Sequence, residues 1–126
     1  DNSNPESARA ALGLLRSLKG TRRIAVFGDM LELGEVAEEE HRALGRDLGR
    51  YGVDSLLAFG PLSAFTVEGA REVGVEASHF TDKDVLVDTL LAMLRPDDVL
   101  LFKGSRGMRM EAVYEKIRDA LSKRKT

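Results

Sequence analysis

Four short apolar runs, each followed by a stretch with helical periodicity, constrain this chain more than any other feature. They are RRIAVFG (22–28), DSLLAFG (54–60), the weaker EASHF (76–80) and DVLLFKG (98–104). Apolar residues fill consecutive positions, so both faces of each strand must be covered. That pattern belongs to a parallel sheet with helices on either side.

The intervening stretches supply those helices. Ala8, Ala11, Leu12 and Leu15 share a face in the first, and Ala37, His41, Leu44 and Leu48 in the second. Phe65, Ala70 and Val73 do so less regularly in the third. Leu86, Leu90, Leu91 and Leu94 mark the fourth, and Met110, Val113, Ile117 and Leu121 the fifth. Asn4 as N-cap with Pro5 at the first helical position opens the first helix. Pro61 opens the third and Pro96 closes the fourth. The order α-β-α-β-α-β-α-β-α, with right-handed crossovers, predicts a Rossmann-like, doubly wound sheet in strand order 3-2-1-4.

At 126 residues the chain is one domain with room for a real core. It has no cysteine, which excludes a disulfide framework or thiolate metal site and suits a cytoplasmic protein. A net charge of −2 argues against a dedicated nucleic-acid binder. No apolar run approaches the ~20 residues of a membrane span. His41 and His79 lie too far apart in sequence for a metal-ligand spacing, and His41 on an apolar helix face reads as a satisfied core histidine. The chain opens without Met at a helix start, which reads as a domain (1–126) cut from a longer protein.

Ligands of open α/β sheets sit at the carboxyl ends of the strands. There the chain places GDMLELGE (28–35), GPLS (60–63), TDKD (81–84) and KGSRGM (103–108). In the order 3-2-1-4 the first and last of these face each other. Glycines 104 and 107 let backbone approach a ligand, and amides at the following helix start favour an anion. Ser105 adds a hydroxyl and Arg106 a planar fork, with Lys103, Arg109 and Lys116 nearby. Opposite, Asp29 either meets an ammonium group or tightens its own turn, while Glu32 and Glu35 read as solvated. An anion pocket facing a carboxylate fits a zwitterion such as an amino acid or short peptide. No nucleophile with an activating base is evident, and neither G-x-x-x-x-G-K-[ST] nor G-x-G-x-x-G occurs. The residues describe a binding half-site with no catalytic group, metal ligand or cofactor of its own.

The segments DNSNPESARAAL, VFGDMLELGEVAEEEHRALG, LAFGPLS and LLFKGSRGMRMEAV, in this order, closely resemble the C-terminal domain of the D-alanyl-D-alanine-adding (MurF) branch of the Mur ligase family. The resemblance covers essentially the whole chain. It implies a three-domain ligase of peptidoglycan synthesis, in which a central domain carries the P-loop and binds ATP and Mg2+. ATP there phosphorylates the tripeptide carboxylate of a UDP sugar, and the dipeptide amine attacks the acyl phosphate. The resemblance assigns Asp29, Lys103, Gly104, Ser105 and Arg106 to the D-Ala-D-Ala dipeptide. It assigns Asn2 and Asn4 to the nucleotide, within residues 1–4 as the remnant of a hinge to the absent central domain. That remnant is expected to be mobile. Asp1 and Ser3 depart from the Tyr and Ala usual in that segment. Two rivals remain: another branch of the same family, or a free-standing anion-binding regulatory domain of the receiver type. A receiver needs an acid at the end of its third strand, where this chain has only the loop residues Asp82 and Asp84.

Overall fold

The computed structural model describes residues 3–124. Four parallel strands, β1 (Arg22–Gly28), β2 (Ser55–Phe59), β3 (Glu76–Phe80) and β4 (Asp98–Lys103), form one sheet in the order β3-β2-β1-β4. The registers run Ile24 beside Ser55, Ile24 beside Leu100 and Ser55 beside Glu76. This is the doubly wound α/β order that the alternating pattern requires. Strand β1 sits in the middle, so its carboxyl end adjoins those of β2 and β4.

The helices are α1 (Pro5–Ser17), α2 (Ala37–Arg50), α3 (Ser63–Glu72), α4 (Lys83–Met93) and α5 (Met110–Arg124), with 3-10 turns at Gly34–Val36 and Arg106–Met108. Alternation along the strands divides the core in two. Ala25, Phe27, Leu56 and Ala58 face one side and pack against Leu12 and Leu15 of α1, Leu48 of α2 and Val67 of α3. Ile24, Val26 and Leu57 face the other and pack against Leu86 and Leu90 of α4 and Val113 and Ile117 of α5. Asn4 caps α1 by accepting the Ser7 amide at 2.8 Å, while the Asn4 amide donates to Ser7 Oγ at 3.1 Å.

Two expectations about α3 are corrected. Pro61 precedes the helix by two residues, because the chain first makes a turn in which the Ser63 amide reaches the Gly60 carbonyl at 3.2 Å. Val73 is 46% exposed at the C-cap. The face of α3 that packs is small and partly polar instead: Ser63, Thr66, Val67, Gly69 and Ala70 are buried. Small residues are needed because α2 and α3 cross with their backbones touching. A Cβ on Gly45 would fall on the Thr66 carbonyl and lie 2.6 Å from the Ala70 nitrogen, and one on Gly69 would fall on the Arg42 carbonyl.

Candidate functional site

The loops after β1 and β4 do meet at the carboxyl edge of the sheet, but they meet in direct contact. The Ser105 amide donates to the Asp29 carbonyl at 2.9 Å, and the Leu31 amide donates to Ser105 Oγ at 2.8 Å. A Cβ on Gly104 would lie 3.1 Å from Gly28 Cα and 2.7 Å from Met110 Cγ, so glycine is required by this close approach. A Cβ on Gly107 would lie 3.0 Å from Leu31 Cδ1. The crevice expected between the two loops is thus filled by their own backbone.

Gly104, Asp29 and Ser105, all assigned to the ligand by the resemblance, serve this packing. Asp29 is 1% exposed, and its carboxylate is fully engaged. Oδ1 accepts the Ser63 amide and the Ser63 hydroxyl, both at 2.7 Å, and Oδ2 accepts the Leu62 amide at 3.1 Å. The carboxylate caps the start of α3, so it does not stand open to an ammonium group. Ser105 is also 1% exposed, and its hydroxyl donates to the Ser3 carbonyl at 3.2 Å. Asn4 spends its side-chain oxygen on the α1 cap. Asn2 lies outside the described residues. Ser3 is buried and its carbonyl accepts the Ser105 hydroxyl, so a mobile leading segment would have to break this contact; Asp1 lies outside the described residues as Asn2 does.

The four cations separate. Lys116 pairs with Asp84 at 2.7 Å, which raises the Lys116 pKa and lowers that of Asp84. Lys103 extends towards α1 and donates to Ser7 Oγ at 3.3 Å. Arg109 takes a left-handed backbone conformation (φ 51°) that closes the 3-10 turn, so α5 begins at Met110 and not directly after the glycine loop. Arg106 is exposed, and its guanidinium has no hydrogen-bond or ion-pair partner among the described residues. It stands on a loop fixed by Ser105 and Gly104. Beside that loop, on the α5 side of β4, lies a cleft of about 450 Å³ lined by Phe102, Lys103, Gly104, Met110, Glu111 and Tyr114. The Phe102 and Tyr114 rings form its aromatic wall, edge to face at 5.5 Å.

Sequence reasoning identified the loop but not the cleft on its far side. The signal was present in the alternation along β4: Phe102 faces α5, and Tyr114 lies four residues beyond the first residue of that helix. His41 is completely accounted for: Nε2 accepts the Met30 amide at 3.0 Å, and Nδ1 donates to the Ala37 carbonyl at 2.6 Å. Among the described residues no cluster of three His, Asp or Glu side chains could hold a metal ion. No helix among them is long and apolar enough to cross a membrane.

Residues 2–106 match the family described as Mur ligase, glutamate ligase domain. The chain belongs to the Mur ligase family. It is 36% identical over 117 residues to the UDP-N-acetylmuramoyl-tripeptide–D-alanyl-D-alanine ligase of Bacillus subtilis, covering 90% of this chain and 26% of that protein. The Synechocystis enzyme of the same name is 38% identical over 118 residues, with 92% and 26% covered. A crystal structure of MurF from Acinetobacter baumannii superposes with a TM-score of 0.85 at 32% identity, covering 94% of this chain and 26% of that one. MurF from Thermotoga maritima in complex with ADP gives 0.79 at 29%, with 98% and 27% covered. The chain spans about a quarter of the length of these relatives, and it is their Mur ligase C-terminal domain that it matches.

Proposed function

We propose that this chain is the substrate-handling C-terminal domain of an ATP-dependent cytoplasmic ligase that joins D-alanyl-D-alanine to a UDP-N-acetylmuramoyl-tripeptide. The observation that carries this reading is Arg106: an exposed guanidinium with no partner among the described residues, on a loop packed through Gly104 and Ser105, two residues along the chain from the part-apolar cleft that Gly104 lines. The relatives named for that reaction support it. A guanidinium fork suits the two oxygens of the dipeptide carboxylate. Phe102, Met110 and Tyr114 offer apolar wall for its methyl groups.

The described residues provide binding and orientation. They do not fit the role of the phosphate cradle or the Mg2+ site, which need a P-loop, absent from the sequence, and grouped carboxylates, absent among the described residues. In this reading ATP and Mg2+ are held by the central domain that the family resemblance implies. The side-chain NH2 of Asn4 is not used by the cap, and the resemblance assigns Asn4 and Asn2 to the nucleotide. Lys103 and Gly104 set one wall of the cleft, while Asp29 and Ser105 hold the loop.

A titration of the ¹⁵N-labelled chain with D-Ala-D-Ala tests the reading. Half a site and a small ligand imply a Kd on the order of a millimolar or weaker. Amide shifts should concentrate at 102–111, and the amide without a free carboxylate should not reproduce them. Equal shifts with inorganic phosphate and none with the dipeptide would overturn it in favour of a phosphate subsite.

A further inference from the structure

Ser105 and Ser3 lie 102 positions apart, yet both are nearly closed to solvent and bonded to each other. A hydroxyl has one proton. The Leu31 amide can only donate, so Ser105 Oγ accepts there and its proton is left for the Ser3 carbonyl. Both directions are fixed by the partners. The same residue receives the Met108 amide on its carbonyl at 2.8 Å and gives its own amide to Asp29. One residue therefore joins the segment leading into α1 and the loop after β1 through its side chain, and the turn that carries Arg106 through its backbone. A second tie runs in parallel, from Lys103 Nζ to Ser7 Oγ inside the α1 capping box.

We propose that Ser105 is a positioning residue that couples the leading segment to the Arg106 loop, so that the place of residue 3 sets the place of the ligand-facing turn. The loop has little other freedom, since Gly104 lies against Gly28 and Gly107 against Leu31. Pulling the Ser3 carbonyl away removes the acceptor that orients the hydroxyl, and the Leu31 amide then loses a well-aimed partner. Any rotation of a domain preceding residue 3 would reach Arg106 by this route. The functional meaning rests on Arg106 being the ligand group as proposed above; the coupling itself does not.

The test is a double-mutant cycle on this chain, read by amide hydrogen exchange. Asn4→Ala removes the α1 cap and loosens the leading segment without touching Leu31 or Arg106. It should speed exchange of the Leu31 amide roughly fivefold or more. Ser105→Ala should speed it further and make the Asn4 substitution silent at Leu31. Ser105→Thr, which keeps the hydroxyl, should restore the cross-effect, and Ser105→Cys replaces the alanine variant if that chain does not fold. No change at Leu31 in Asn4→Ala, or a cross-effect that persists without the hydroxyl, overturns the proposal. A chain that shows the coupling but no D-Ala-D-Ala shifts would sink the functional reading alone.

Discussion

Asp29 and Ser63 are bonded twice through a single carboxylate oxygen, which accepts the serine amide and its hydroxyl at 2.7 Å each. The loop after β1 is thereby pinned to the first turn of α3, where backbone donors have no partners within the helix. The carboxylate also complements the positive end of that helix. A residue placed where a ligand counter-charge could sit is thus a structural cap.

Asp29→Ala should destabilise the domain by about 3 kcal/mol, because the Leu62 and Ser63 donors lose a charged acceptor in a closed site. Asp29→Asn should cost about 1–2 kcal/mol, since its oxygen can still serve Ser63 while its NH2 group opposes the Leu62 amide. Urea denaturation of the three chains checks both values. Equal stability of wild type and Asp29→Ala would refute the cap.

Gly45→Ala tests the α2–α3 crossing. Helix propensity alone favours alanine by about 1 kcal/mol. The new methyl would collide with the Thr66 carbonyl and the Ala70 nitrogen, both backbone groups that cannot rotate away. The net effect should be a loss of about 2–3 kcal/mol. A stabilised variant in thermal melts would mean that the helices can separate at no cost.

The fold was legible because its signal is local and repeated. Each strand is a compact apolar run, and β1, β2 and β4 are bounded within a residue of where the sequence suggests. The N-cap at Asn4 was equally plain. The packing face of α3 was not, because backbone-to-backbone contact selects glycine, alanine and serine, which leave no hydrophobic stripe. The site was half legible. The KGSR motif marks the loop, but the roles of Asp29 and Ser105 depend on donors 34 and 74 residues away, and no local pattern encodes those. Arg106 stood out in the sequence by its planar fork, but that Lys103 and Lys116 are engaged elsewhere, at Ser7 and Asp84, was not legible there.

Stability at low pH should carry the signature of Asp98. Its carboxylate receives Arg22 Nη2 at 2.7 Å and Nε at 3.1 Å, and the Arg95 amide at 2.8 Å. The Arg22 hydrogen bonds hold its pKa below the ordinary carboxylate value, against burial, with the Arg95 amide assisting. A group whose folded pKa is depressed adds stability above its unfolded value of about 3.9 and loses it as pH falls through the folded value. The stability difference between wild type and Asp98→Asn should therefore be flat from neutral pH to about 5 and shrink below about 4. The Asp84–Lys116 pair is present in both chains and cancels. A difference that stays constant down to pH 2.5 would show that Asp98 is not held in its charged form by these partners.

The most direct measurement of the central claim is steady-state kinetics of the longer ligase with Arg106→Ala. A charge-assisted hydrogen bond to a carboxylate is worth about 1.5–3 kcal/mol, or about 10- to 150-fold in affinity. The KM for D-Ala-D-Ala should rise within that range while the KM for ATP stays within about twofold, as expected of a fork that serves the dipeptide alone. A collapse of ATP binding with the dipeptide KM unmoved would assign Arg106 to the nucleotide and contradict the account.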